Sequence, residues 1–455
     1  MKGFIGKGGI FHLKTPHKQS QWSEPKIIIV SFLSILLPAS VLLTLPLFSL
    51  TGLSFIDALF TATSAISVTG LGVVDTGTHF THSGKVLLMI LMQIGGLGQM
   101  TLSAVLLYMF GARLSLKQQA VTKGALGQEN SINIRRLVIL IILFTFIVET
   151  IGTMILAIRW VPEFGVTEGL FTAVFHAISA FNNAGFSLFS DSLTRYQDDP
   201  LLLMTISLLF ICGGLGFTVV ADLFKWSKTR HHRLRLHSKL MLVATPTLLL
   251  SGTLLFWLLE RNNAATLGQL PTGLQWINAF FQSATARTAG FNSVDISQFS
   301  QPALLVMMAL MLIGAGSTST GGGIKVSTFV VAVLATITFL RQQNNVVLFK
   351  RTIAWSTVLK CLAIIVVSGL ILMLAMFLLM LTEKASFDRV MFETLSAFST
   401  AGLSAGLSAS LSEPGKVIMV VVMITGRIGP LTLAYLLARP TTTQLKYPED
   451  NVYAG

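Results

Sequence analysis

Residues 64–71 read Ser-Ala-Ile-Ser-Val-Thr-Gly-Leu, a short run of small and polar residues between two apolar segments. The same form returns as Ser-Ala-Phe-Asn-Asn-Ala-Gly-Phe at residues 179–186, as Ala-Thr-Ala-Arg-Thr-Ala-Gly-Phe at 284–291 and as Ser-Ala-Phe-Ser-Thr-Ala-Gly-Leu at 396–403. In each copy a glycine stands six positions after the first small residue, and Leu or Phe follows it. Because the glycines lie 115, 105 and 112 residues apart, the pattern predicts four repeated structural units.

The composition is typical of a membrane protein. Of the 455 residues, 53% are hydrophobic and only 11% are charged, whereas charged residues supply about a quarter of an ordinary soluble domain. Apolar stretches long enough to cross a bilayer occur at residues 27–50, 86–110, 137–160, 201–224, 240–259, 303–340 (interrupted), 353–381 and 417–438. A β-barrel would instead show short segments of alternating polarity. We therefore predict an all-α integral membrane protein with eight transmembrane helices.

The net charge is +13, and the basic residues are distributed along the chain as a signal of membrane topology. Lys and Arg concentrate in both termini and in the loops between the units, for example at Lys117, Lys123, Lys225 and Lys228. This positive-inside bias predicts cytoplasmic termini and a multi-pass protein of the cell (inner) membrane, and it argues against nucleic acid as a partner. Most acidic residues fall on the opposite side, where they would raise the local concentration of cations.

Each unit contains a second apolar segment that is too short to span a membrane. These segments are residues 55–67, 170–181, 274–286 and 387–398. A helix lying on the membrane surface is the alternative, but the same placement in all four units favours a re-entrant half-helix. Since every unit crosses twice, the four loops face the same side, and we predict parallel helix–pore-helix–loop–helix repeats around one central pore.

The predicted organisation follows from these markers. It comprises a cytoplasmic N-terminus (1–26), repeat 1 (27–111), repeat 2 (134–225), repeat 3 (237–341) with an intramembrane loop at 314–325, repeat 4 (350–439) and a cytoplasmic C-terminus (440–455). A second glycine follows each motif glycine at a near-constant distance, at Gly95, Gly213, Gly314 and Gly426.

The four glycine loops have the properties of a cation site. Irregular backbone at membrane depth is tolerated where it lines a water-filled cavity, and the C-terminal ends of the half-helices carry about half a negative charge each. A ring of carbonyl oxygens can replace the hydration shell of a cation. Because no acidic residue stands at the glycines, the loops favour a monovalent alkali ion over calcium, which prefers carboxylates.

With these motifs, the chain resembles the Trk/Ktr/HKT superfamily of potassium transporters, and most of all its Ktr membrane subunits, over residues 27–439. The resemblance implies a potassium selectivity filter built from Val68, Thr69, Gly70, Asn183, Ala184, Gly185, Thr288, Ala289, Gly290, Thr400, Ala401 and Gly402. In plant relatives a serine in place of the first glycine is associated with sodium transport, so Gly70 supports potassium. The loops lack the Thr-Val-Gly-Tyr-Gly sequence of tetrameric channels, and we expect looser selectivity.

The third unit contains an unusual glycine-rich stretch, Gly-Ala-Gly-Ser-Thr-Ser-Thr-Gly-Gly-Gly-Ile-Lys at residues 314–325. Such a stretch does not remain helical, because each glycine costs about 1 kcal/mol relative to alanine. A plain connection between two short helices is the alternative. The resemblance implies a loop that obstructs the pore below the filter, and this predicted gate comprises Gly314, Gly316, Ser317, Thr318, Ser319, Thr320, Gly321, Gly322, Gly323 and Lys325.

Arg427 is assigned to the same gate. A charge within the bilayer is expensive and marks function by default, so we expect Arg427 to lie beneath the filter as a barrier to cations and to hold the loop. Pairing with Glu149, for which the sequence offers no other partner, is the alternative. Arg287 would brace the third loop from behind, because a cation lining the pore would repel the substrate.

The predicted function is potassium uptake through one pore in each chain. The resemblance implies a homodimer and a cytoplasmic ring of nucleotide-binding (ATP/ADP) regulatory subunits of the KtrA type, with membrane lipid around the chain. K⁺ is the substrate and Na⁺ an activating or coupled ion, although no sodium site can be read from the sequence. No catalytic or cofactor-binding pattern occurs, so we predict a non-enzyme. The alternatives are a secondary transporter of another cation (Na⁺) or solute, and a membrane scaffold that transports nothing.

Overall fold

A computed structural model of the chain describes residues 24–98, 134–229, 233–430, 432 and 434. The described part is mostly helical. The predicted N-terminal segment up to residue 23, the end of the first inward span (99–111) and the C-terminal segment 440–455 lie outside the described residues.

The helices follow the order of the four units. They are α1 (Glu24–Thr44), α2 (Phe55–Ile66), α3 (Thr76–His79), α4 (His82–Leu97), α5 (Ile134–Phe164), α6 (Val166–Phe181), α7 (Pro200–Gly214), α8 (Phe217–Lys228), α9 (Leu236–Glu260), α10 (Thr272–Thr285), α11 (Gln301–Leu312), α12 (Val326–Leu340), α13 (Trp355–Thr382), α14 (Phe387–Ser399) and α15 (Glu413–Ile428). Single 3-10 turns lie at Thr194–Tyr196, Ile296–Gln298 and Ser408–Ser410. A small antiparallel hairpin, β1 (Val347–Leu348) with β2 (Arg351–Thr352), was absent from the all-α prediction.

Among the described helices, α5, α9 and α13 are individually long and apolar enough to cross a membrane. The apolar stretch predicted as a crossing at residues 201–224 is not one continuous helix, because α7 and α8 meet at an angle of 93°. The break falls in the run Gly213-Gly214-Leu215-Gly216, where glycines weaken a helix, and Gly216 has a φ of 100° that L side chains rarely adopt. The interruption predicted within 303–340 separates α11 from α12.

Four short helices, α2, α6, α10 and α14, end at the glycine motifs. Each packs against the long helix that precedes it, in the pairs α1·α2, α5·α6, α9·α10 and α13·α14. Their inner faces carry small residues, such as the fully buried Ala58, Ala62 and Ala65 of α2. Small side chains let helix backbones approach closely, which is the main source of helix association where lipid offers no hydrophobic driving force.

The helix that follows each glycine loop packs against the short helix of the next unit. These contacts are α4 with α6, α7 with α10, α11 with α14, and α15 with α2. The last contact returns to the first unit, so the interactions close into a ring. The ends of all four short helices are thereby held around one centre.

Candidate ion-selectivity filter and gate

Three of the four glycine loops share one backbone conformation. The residue before each glycine donates its N–H to the serine carbonyl five positions earlier: Thr69 to Ser64, Ala184 to Ser179 and Ala401 to Ser396, each at 2.8 Å. The N–H and C=O of a trans peptide unit point in opposite directions. The carbonyls that precede these N–H groups, those of Val68, Asn183 and Thr400, therefore point away from the ends of the short helices.

The backbone angles support the same description. Val68, Asn183 and Thr400 have φ values of 51°, 56° and 50°, a left-handed conformation that costs a non-glycine residue about 1–2 kcal/mol. Such residues persist where the surroundings over-determine them, often at functional sites. The third loop differs, because Thr288 has a φ of 141° and Ala289 donates to Thr285 O at 2.9 Å instead.

The four motif glycines bring the loops together in a closed ring. Gly70, Gly185, Gly290 and Gly402 have φ between 69° and 93°. A methyl group on each would stand within 3.0 Å of a carbonyl oxygen in another loop: Gly70 near Ala184 O, Gly185 near Ala289 O, Gly290 near Ala401 O and Gly402 near Thr69 O. Glycine is therefore required at these positions both by conformation and by space. Four carbonyl oxygens, one from each unit, lie beside the glycines around the ring.

Buried side chains support the loops from behind. Ser64 Oγ accepts from Gly70 N at 3.0 Å, and Ser179 Oγ donates to Phe186 O at 2.8 Å. In the third loop, Thr285 Oγ1 donates to Phe291 O at 2.8 Å. Hydroxyl groups in the final turns of the short helices therefore hold the glycine itself in the first loop and the residue after the glycine in the second and third.

Glu393 supports the fourth loop and was missed by the sequence analysis. Its fully buried carboxylate accepts from the Ser404 hydroxyl, from Leu407 N at 3.0 Å, and from Ser408 Oγ at 2.8 Å. The signal in the sequence was an acidic residue in the middle of the short helix, beyond the charged pair Asp388 and Arg389 in its first turn. His176 has a related position in α6, where its ring lies within 3.1 Å of Ser187 Oγ.

Glu149 has partners in the first and second units. Its carboxylate accepts from Asn182 Nδ2 at 3.1 Å and from Gln93 Nε2 at 3.4 Å, and Asn182 also donates to Gln93 Oε1 at 2.7 Å. Within the described residues no ion pair joins Glu149 to Arg427. The pairing considered as an alternative is therefore wrong, and Glu149 instead fixes the residue next to Asn183.

The loop of residues 314–325 contacts predicted filter residues of three units. Thr320 Oγ1 accepts from Asn183 Nδ2 at 2.9 Å, and Gly322 N donates to Thr400 Oγ1 at 2.9 Å. A methyl group on Gly321 would stand 2.6 Å from Thr288 Oγ1. The loop therefore lies directly against the side chains that precede the motif glycines.

The opposite side of the loop is anchored to the break between α7 and α8. Gly316 N donates to Gly214 O and Phe217 N donates to Thr318 O, both at 3.0 Å. The hydroxyls of Thr218 and Thr318 are also hydrogen-bonded at 2.9 Å. Backbone groups that lack helical hydrogen bonds at the break in the second unit therefore bond to backbone groups of the irregular loop in the third unit.

Arg427 and Lys325 bring two cationic groups to the loop. The Arg427 guanidinium donates to Thr320 O in the loop and to Gly95 O in α4. Gly95 lies in the last turn of α4, where the helix dipole favours a cation. The Lys325 ammonium donates to Gly321 O at 2.5 Å and to Gly322 O at 3.3 Å, within the loop itself.

Arg287 belongs to the third loop, three positions before Gly290. Its side chain is buried and lines a cavity of about 20 Å³ together with Phe210, Leu249 and Ala284. These neighbours belong to α7, α9 and α10. The same cavity is lined by Asn183 and Thr288, which are predicted filter residues, and by Ala315 of the loop of residues 314–325.

The chain is similar to known cation transport proteins. A family model described as "TrkH: Cation transport protein" matches residues 4–445. The Ktr system potassium uptake protein B of Vibrio alginolyticus is 67% identical, over 98% of this chain and 98% of the relative. The potassium/sodium uptake protein NtpJ of Enterococcus hirae is 37% identical, over 95% of this chain and 97% of the relative. The crystal structure of the potassium transporter TrkH from Vibrio parahaemolyticus matches with a TM-score of 0.72 at 17% identity, over 93% of this chain and 87% of that chain, and shares the fold.

Proposed function

The chain belongs to the TrkH family of cation transport proteins, and we propose that it is the pore-forming subunit of a regulated potassium uptake system. The name of the Vibrio alginolyticus relative, a Ktr system potassium uptake protein, supports potassium as the substrate. The name of the Enterococcus hirae relative supports a part for sodium, as an activating or coupled ion. We propose a role for the chain in transport rather than in catalysis.

The proposed architecture is four parallel units around one pore, set in the cell membrane with both termini in the cytoplasm. Its support is the closed series of contacts in which each unit packs on the short helix of the next. The short helices act as pore helices whose C-terminal ends face the centre, where their dipoles stabilise a cation. The basic loops between units lie on the cytoplasmic side.

The observation that carries the proposed function is the ring of carbonyl oxygens at the motif glycines. In the proposed mechanism, a K⁺ ion sheds its water and is held by carbonyls of the residues that precede Gly70, Gly185, Gly290 and Gly402. Glycine keeps the opening free of side chains, while hydroxyls such as Ser64 Oγ hold the loop around it. The different third loop makes the ring only approximately fourfold.

The loop of residues 314–325 is the proposed gate. Its hydrogen bonds with Asn183 and Thr400 support this role, because both residues belong to the proposed filter. Two cationic side chains accompany the loop. A positive charge in a low-dielectric region repels a passing cation strongly. Opening requires that the loop leave its hydrogen bonds to the filter, to the break between α7 and α8, and to Arg427.

Regulation is proposed to come from partners. The word "system" in the name of the Vibrio alginolyticus relative supports a complex of several subunits. We assign this chain to a homodimer that contacts a cytoplasmic ring of nucleotide-binding subunits. Nucleotide binding by that ring would bias the gate from the cytoplasmic side.

Uptake of K⁺ or radioactive Rb⁺ by a potassium-uptake-deficient cell tests the proposal. The chain, expressed with its partner subunits, is expected to restore growth and uptake at low potassium. Gly290→Ser is expected to weaken the preference for K⁺ over Na⁺, because a Cβ at this position would lie 2.9 Å from Gly185 Cα. Uptake of Rb⁺ and of Na⁺, each measured with and without the other ion, shows whether Na⁺ activates transport or itself passes through the pore. A folded wild-type protein that gives no uptake, or a Gly290→Ser variant with unchanged selectivity, would count against a glycine filter.

A further inference from the structure

Helix α8 leaves the direction of the span that precedes it. It is bent by 93° from α7, so where α7 runs along the membrane normal, α8 lies in the membrane plane. The 15 residues of α7 cover about 22 Å, less than the roughly 30 Å of a bilayer's hydrocarbon core. If α7 starts at the outer surface, α8 therefore begins in the inner leaflet, roughly 8 Å from the cytoplasmic interface.

The two halves of α8 have different surroundings. Phe217, Val219 and Ala221 of the first half are buried. In the second half, Phe224 and Trp226 are 48% and 55% exposed, and the neighbouring Lys225 and Lys228 are exposed as well. Exposed aromatic rings beside lysines are typical of helices that lie in a membrane interface. Basic residues at the cytoplasmic leaflet attract anionic lipid headgroups.

The buried half of α8 contacts the proposed gate. Phe217 N donates to Thr318 O at 3.0 Å, and Thr218 Oγ1 is hydrogen-bonded to Thr318 Oγ1 at 2.9 Å. Phe217 also belongs to a cluster with Phe181, the last residue of the second short helix. One rigid helix of 12 residues thus joins an exposed basic surface to the loop beneath the filter.

The middle of α8 is tied to the next long helix. The Asp222 carboxylate accepts from Arg235 N at 2.9 Å, and Arg235 is the N-cap residue of α9. This contact holds the buried side of α8 against α9, while its second half remains exposed.

We propose that Phe224, Lys225, Trp226 and Lys228 form a binding site for the headgroups of anionic phospholipids of the inner leaflet, and that a bound lipid holds the gate loop in place through Thr318. A ligand stabilises the conformation that it binds. Occupancy of this site therefore favours the arrangement in which α8 is bonded to the loop, and it lowers ion flux. The inference rests on the proposed function, because it takes residues 314–325 as the gate and the basic face as cytoplasmic.

The test uses the purified full chain in liposomes of phosphatidylcholine with increasing phosphatidylglycerol, and Rb⁺ uptake as the readout. Flux is expected to fall severalfold as phosphatidylglycerol increases. Each lysine near an anionic surface contributes about a fivefold change in affinity, so Lys225→Gln/Lys228→Gln is expected to bind anionic lipid roughly 30-fold more weakly and to lose most of the inhibition. Lys350→Gln/Arg351→Gln removes two exposed charges from the β1–β2 hairpin and serves as the matched control, with an expected response like that of the wild type.

Binding is measured separately by quenching of tryptophan fluorescence with brominated phosphatidylglycerol or brominated phosphatidylcholine. The component that disappears in Trp226→Phe reports the site. It should be quenched more by the anionic lipid, and this preference should vanish in the double lysine variant but not in the hairpin control. Equal quenching by both lipids overturns the inference.

The flux outcomes separate this inference from the proposed function. Absence of Rb⁺ uptake in every bilayer, with folded protein, contradicts the potassium pore itself. Uptake that is independent of phosphatidylglycerol, or that rises with it, overturns the lipid site while leaving the pore. A double lysine variant that responds to lipid as the wild type does also overturns the lipid site. If that variant loses only its regulation by the cytoplasmic subunits, the surface belongs to a protein partner instead.

Discussion

Replacing Arg427 with glutamine should accelerate ion flux. The guanidinium connects the gate loop, at Thr320 O, to α4, at Gly95 O. A hydrogen bond that involves a charged group contributes about 1.5–3 kcal/mol. Of the two bonds that Arg427 makes, only the one to Thr320 O reaches the loop. Its loss therefore shifts the equilibrium between the loop in its observed position and the loop displaced from the pore by about 10- to 150-fold. Where the seated loop limits transport, Rb⁺ flux rises by at least about tenfold.

The assay is Rb⁺ uptake into proteoliposomes containing equal amounts of folded protein, verified by gel filtration and thermal unfolding. Arg427→Lys keeps the charge but lacks the fork that reaches two carbonyls, and it should give an intermediate flux. Arg341→Gln is the matched control, because it removes an exposed charge at the C-terminal end of α12, away from the gate loop, and it should leave the flux unchanged. Folded Arg427→Gln protein with wild-type flux would refute the idea that this side chain holds the gate.

Three further changes test other parts of the structure. Deletion of residues 317–322 removes the bonds between the gate loop and α8, and Rb⁺ flux should rise while regulation weakens; unchanged flux counts against a gate. Glu393→Gln leaves buried hydrogen bonds of the fourth loop unmade, each worth about 1–3 kcal/mol, and should lower the thermal unfolding temperature and the K⁺/Na⁺ preference together. Burial alone would raise the pKa of Asp75, but hydrogen bonds from Ser190 and Thr78 hold that pKa below its usual range. Its carboxylate therefore stabilises the fold above the unfolded-state pKa, and this contribution is lost as pH falls through the folded-state pKa. Asp75→Asn should destabilise the protein at neutral pH and match the wild type in acid.

The sequence predicted the short helices and the glycine loops well, because both depend on local signals. Residues 55–67 were expected to form the first half-helix, and α2 covers Phe55–Ile66. The interruption of the third unit at 314–325 was evident from its glycine content, and α12 begins at Val326. These features need only propensity and spacing.

The direction of α8 was not predicted. Hydropathy over residues 201–224 is continuous, and hydropathy alone carries no information on where a chain bends. The glycines at 213, 214 and 216 were the available signal, but their effect depends on the loop of another unit, which supplies the bond from Phe217 N to Thr318 O.

The closure of the ring could also not be predicted from the sequence. Which carbonyl meets which glycine depends on contacts between units more than 100 residues apart, such as Gly70 with Ala184 O. For the same reason Glu149 had no assigned partner, since Gln93 and Asn182 lie in other helices. The departure of Thr288 from the shared conformation could not be inferred from a motif that looks alike in all four copies.

Anomalous diffraction from crystals grown in rubidium or thallium tests the central claim most directly. If the four loops form a potassium filter, an ion peak lies on the axis of the ring, within coordination distance of the carbonyl oxygens of Thr69, Ala184, Ala289 and Ala401. A transporting protein whose crystals bind these ions elsewhere, with no peak inside the ring, would contradict the account.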